Sequence, residues 1–66
     1  MTRKDYVRLA AALREARRDA ETQWTGTPRI MALRGVTTAT HEIADALAAD
    51  NGRFDRQRFY TAAGLS

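Results

Sequence analysis

The closest approach to catalytic chemistry in this chain of 66 residues is the run His41-Glu42-Ile43-Ala44-Asp45. On a helix its two ends lie one turn apart on the same face. The pattern differs by one residue from the H-E-x-x-H of zinc proteases. A catalytic zinc needs three protein ligands and an open position, yet the chain has one histidine and no cysteine. A third ligand would have to be a distant carboxylate, so the run reads as the polar face of an amphipathic helix, with His41 set against Asp45. No nucleophile–base pair or phosphate-cradling glycine loop can be assembled either. The expectation is a protein that is not an enzyme, with no catalytic, cofactor-binding or metal residues and no cofactor.

Arginine offers more. Eleven Lys and Arg against eight Asp and Glu give a net charge of +3, and ten of the cations are arginine. The excess sits at the ends: residues 1–24 carry +2, residues 25–52 carry −1 and residues 53–66 carry +2. Arg14, Arg17 and Arg18 form one group, with Lys4 and Arg8 extending it; Arg53, Arg56 and Arg58 form another. A guanidinium grips phosphate or carboxylate through two parallel hydrogen bonds, so these residues suit an acidic protein surface or a nucleic acid. Asp5, Glu15, Asp19, Glu21 and Asp55 interrupt the positive field, and Arg53 and Arg56 are also placed to pair with Asp50 or Asp55. Trp24, beside Gly26, is placed either to cap the core or to anchor an interface.

The elements that must position these residues are helical, and the whole chain reads as one domain. The hydrophobic share is 44%, but thirteen of those residues are alanine, leaving too little bulk for a deep cavity or a second domain. Tyr6, Leu9/Ala10, Leu13, Ala16 and Ala20 recur at steps of three and four and predict a helix over 3–22. Thr2 is its N-cap with Asp5 in a capping-box relation. Glu15–Arg18 and Arg17–Glu21 are spaced to pair on its exposed side. Thr27-Pro28 predicts the start of a second helix, 28–50, with the stripe Ile30, Leu33, Val36, Thr40, Ile43 and Leu47. Gly35 marks a point where that helix could break. Asp50-Asn51-Gly52 predicts a turn with Asn51 or Gly52 in the left-handed region. A short third helix, 56–63, follows, with Asp55 as N-cap, Phe54 stapled to Phe59, and Gly64 closing it. The expected core is Leu9, Leu13, Ile30, Leu33, Ile43, Leu47, Phe54 and Phe59. A helix-turn-helix built from 39–49 and 56–63 would be a poor groove reader, because its second helix is short and its aromatics are needed inside.

The stretch Ala44-Asp45-Ala46-Leu47-Ala48-Ala49-Asp50-Asn51-Gly52-Arg53-Phe54-Asp55-Arg56-Gln57-Arg58-Phe59, with Met1-Thr2-Arg3-Lys4-Asp5-Tyr6 and Ala62-Ala63-Gly64, resembles a family of short uncharacterised proteins of bacteriophages, prophages and plasmids. Members typically open with a Thr-(Arg/Lys)-Lys-Asp-Tyr-like helix. They end in a pattern like Leu-Ala-x-x-Asn-Pro-Arg-Phe-Asp-x-x-(Arg/Lys)-Phe-x-x-Ala-Cys-Gly. The likeness covers both ends, about half the chain. It departs at Gly52, where the family usually has proline, and at Ala63, where it usually has cysteine. The resemblance implies a mobile-element origin and a bacterial cytoplasmic setting rather than a reaction.

These observations point to an all-α domain of two longer antiparallel helices and a short C-terminal one, acting by non-enzymatic binding. The expected partner is a protein, with nucleic acid as the alternative and a homodimer as a further expectation; no membrane is expected, since no long apolar run exists. The candidate interaction surface is Arg14, Arg17, Arg18, Trp24, Arg53 and Arg56. Because the staple ties the third helix down, Phe59→Ala is expected to cost about 3–5 kcal/mol. Equilibrium unfolding checks this, and a loss under about 1 kcal/mol would reject the assignment.

Overall fold

The computed structural model describes residues 2–65. They form α1 (Arg3–Gln23), α2 (Gly26–Asp50) and α3 (Arg56–Ala62), with no strand among the described residues. Thr2 is extended, and the Asp5 carboxylate accepts hydrogen bonds from the Thr2 N–H (3.0 Å) and hydroxyl (3.2 Å). The backbone bond, then the hydroxyl, holds the Asp5 carboxyl below its ordinary range. Only Trp24 and Thr25, both extended, separate α1 from α2. Gly26 then turns the chain at φ +62°, a conformation that costs an L side chain strain. The second helix thus starts two residues before Pro28, with Thr25 rather than Thr27 as N-cap. Proline is harmless there because the first-turn N–H groups have no intrahelical partner. The helix runs unbroken through Gly35, which faces open space.

Two contacts show that α1 and α2 are antiparallel. The Asn51 side-chain amide donates to the Tyr6 hydroxyl (3.3 Å) at one end, and Arg17 donates to the Thr37 hydroxyl (2.6 Å) midway. The buried cluster comprises Ala10, Ala44, Leu47, Phe59 and Ala63, with Tyr6, Leu9, Leu13, Ile43, Phe54 and Tyr60 packed partly buried around it. Alanine supplies three of the five enclosed residues of the cluster, and small side chains at a helix contact permit a short interaxial distance. Thr40 is fully buried, its hydroxyl donating to the Val36 carbonyl at 2.7 Å. Of the expected core, Leu47 and Phe59 are enclosed, while Leu9, Leu13, Leu33, Ile43 and Phe54 are half-buried flanks. Ile30 is a correction: it is 57% exposed, because it lies beyond the part of the hairpin that α3 covers. On α1, Arg17 takes the inward place expected of Ala16, which faces solvent.

The third helix is docked at both ends. Asp55 accepts a hydrogen bond from the Arg58 N–H (3.0 Å). The Phe54 ring meets Phe59 at 5.4 Å and Tyr6, edge-on, at 5.1 Å, as the staple requires. At the far end the Leu65 N–H donates to the Tyr60 carbonyl (2.8 Å) and the Gly64 N–H to Thr61 (3.1 Å). This is the Schellman arrangement, with Gly64 left-handed at φ +87°. A Cβ on Gly64 would lie 3.5 Å from Arg17 Cδ and 3.7 Å from Arg14 Cγ, so α3 ends beside the middle of α1. The molecule is 38 Å long, and seven helical residues span about 10 Å. One end of the hairpin therefore has three helices and the other only two.

Two glycine substitutions should separate these environments. Gly35→Ala is expected to stabilise by about 1 kcal/mol, the helix-propensity difference. Gly64→Ala should destabilise by about 1–2 kcal/mol, the cost of the left-handed region. Thermal or urea unfolding of the pair reads the opposite signs directly.

Candidate binding surface

A groove of about 250 Å³ opens between the first turns of α1 and the loop leading into α3. Tyr6, Val7, Ala10, Phe54 and Phe59 contribute its apolar lining, and Arg3, Arg53, Arg58 and Asp55 its charged groups. The loop that carries Arg53 and Phe54 is built on Asn51. Its carbonyl accepts from the Phe54 N–H (3.0 Å) and its side-chain oxygen from the Arg53 N–H (3.0 Å), while its side-chain amide reaches Tyr6. One residue thus sets the turn and ties it to α1. The expected left-handed residue is absent: glycines 26 and 64 are the only described residues with positive φ. Asn51 is instead extended, at φ −139° and ψ 109°.

The six candidate residues do not share one surface. Arg53 belongs to the groove. Arg56 is turned to the other side of α3, where it pairs with Asp45 of α2; Asp45 and, after it, the Tyr60 hydroxyl raise its pKa. Residues two apart on a helix point nearly opposite ways, so Arg58 faces the groove while Arg56 faces α2. Arg56 does not pair with Asp50 or Asp55 as anticipated, and its ion pair is the one found among the described residues. Arg17 is half-buried in the α1–α2 seam, bonded to Thr37, with its Nε buried and unpartnered; it is a bridging residue rather than a free contact. The expected Glu15–Arg18 and Arg17–Glu21 pairs are not formed. Arg14 and Arg18 are exposed. Trp24 is 50% exposed at the hairpin tip, far from the groove.

Both ends of H-E-x-x-D are engaged with α3 rather than with each other. His41 Nδ1 lies 3.3 Å from the Tyr60 hydroxyl, with the rings 4.9 Å apart, and Asp45 holds Arg56. Among the described residues no three potential metal-ligating side chains gather at one place. Nor is any helix long and apolar enough to cross a membrane. Arg3 and Arg58, which complete the groove, were not among the six because nothing local in the sequence joins α1 to the 51–55 loop. The Tyr6–Phe54 contact that does so spans most of the chain.

Compared with known protein families, curated proteins and solved structures, the chain matches none.

The groove's turn can be stiffened without touching its lining. Gly52 is the second residue of the 51–54 turn, where proline is favoured, and a Cβ added there would meet no atom within 4 Å. Asn51 already has the extended conformation a following proline demands. Gly52→Pro is expected to raise stability by about 0.4–1 kcal/mol, as read by denaturant unfolding.

Proposed function

We propose that this is a non-enzymatic binding protein of the phage- or mobile-element accessory kind, which docks an acidic, apolar-centred segment of a protein partner in the bacterial cytoplasm. One observation carries the reading: an aromatic-floored groove bordered by Arg3, Arg53 and Arg58. Its single acid, Asp55, is engaged as the cap of α3. Three guanidiniums around an apolar floor match carboxylates flanking a hydrophobic side chain, because each can take a carboxylate in a bidentate hold. The floor supplies the water-excluding contact that such a pair needs to count energetically. The likeness of both chain ends to mobile-element proteins supports the setting.

Nucleic acid is the weaker alternative. A duplex calls for cations in file along its phosphates, whereas Arg56 is paired with Asp45, Arg17 lies in the α1–α2 seam, and Glu15 and Glu21 stand among Arg14 and Arg18.

Selection of a random displayed peptide library on the immobilised protein tests the proposal. Enriched peptides should carry Asp or Glu on both sides of an apolar or aromatic residue. Arg53→Glu with Arg58→Glu should lower their affinity by about tenfold or more while leaving the circular dichroism unchanged. Enrichment that is absent, or that persists on the double variant, would overturn it. So would tighter binding of a mixed-sequence DNA duplex that shows a steep salt dependence.

A further inference from the structure

The third side of the α1–α2 hairpin is covered only as far as Gly64, beside Arg14 and Arg17. Beyond that point the same side continues uncovered. On α2, Ile30 lies eleven residues before His41, about three helical turns, and so faces the way His41 faces toward Tyr60 of α3. Ile30 is nevertheless 57% exposed, and Met31 and Trp24 at the same end are 60% and 50% exposed. On α1, Arg18 and Glu21 share one open concavity with Gly64. Ile30 thus stands in line with a docked helix at a place where this chain supplies no helix, and two further large apolar side chains, Met31 and Trp24, are exposed at the same end.

We infer that this open end is occupied by the same end of a second copy, the two hairpins running antiparallel so that their α3 helices lie at opposite extremities. Charge decides in favour of a second copy. The concavity is lined by both signs of charge, Arg14, Arg17 and Arg18 with Glu15 and Glu21, so it presents an acid as well as a base to whatever covers it, as a self-complementary surface must. Arg18 and Glu21 stand one turn apart on α1, and neither has an ion-pair partner among the described residues. Two antiparallel α1 helices crossing between these positions set each Glu21 against the other copy's Arg18, the reciprocal pairing that a two-fold interface requires. Trp24 and Ile30 of each copy then pack against the other copy on either side of that crossing, taking the place that α3 fills at the other end.

Trp24 is the only tryptophan, so its emission reports the contact itself. Raising the protein from about 1 µM to about 1 mM, a span of three decades in affinity, should shift that emission to shorter wavelength. Sedimentation should pass from monomer to dimer over the same range. Trp24→Ser and Ile30→Asp, both at exposed positions, should each weaken association by about tenfold or more with unchanged circular dichroism. Glu21→Arg and Arg18→Glu should each weaken self-association, and an equimolar mixture of the two should recover it, because opposite charges then face each other at both contacts. Arg53→Glu, in the distant groove, should leave the dimer intact. A strict monomer across the range would overturn the inference. A dimer indifferent to Trp24→Ser and Ile30→Asp, a mixture that associates no better than its components, or a dimer dissolved by Arg53→Glu would do the same.

Discussion

Everything in this molecule hangs on how closely three helices meet where Ala10, Ala44 and Ala63 touch. With methyl groups at the crossing, α1 and α2 approach near enough for a seven-residue helix to reach both, and Phe59 fills the space between them. A helix of that length has little intrinsic stability. It persists because its N-terminus is capped by Asp55 and stapled by Phe54, and its C-terminus is closed by Gly64 against Arg14 and Arg17. Tyr6 and Asn51 lock the loop that delivers it. Larger residues at the alanine positions would push the helices apart and release α3, and the groove beside Phe54 would go with it.

The two ends of the hairpin consequently differ in character. At the α3 end, aromatic rings are stacked and the surplus of cations surrounds an apolar depression. At the tip, charges cancel and apolar side chains stand in water. The binding proposal belongs to the first and self-association to the second, and the two surfaces do not overlap, so one can be occupied without displacing the other.

Much of this was legible in the residues themselves. The periodicity of Tyr6, Leu13 and Ala20, the cap at Asp55, the Phe54–Phe59 staple and the closing Gly64 are local signals, and each has the role its chemistry predicts. What escaped depends on tertiary context. Alanines, discounted as too small to build a core, hold its centre because helix approach rewards small volume there. Ile30 has the right phase to be buried, but burial needs a covering element and α3 stops short of it. Arg17 looks like a surface cation by type, yet it lies in the stripe between Leu13 and Ala20 and reaches Thr37. The groove itself joins residues from opposite ends of the chain, so no window of sequence contains it.

The alanine-centred interior also shapes how the protein responds to heat and denaturant. Little apolar area leaves water when methyl groups do the packing, and both the heat-capacity increment of unfolding and the denaturant slope scale with that area. A molecule built this way is expected to have a shallow stability curve, changing only gently with temperature and with denaturant concentration.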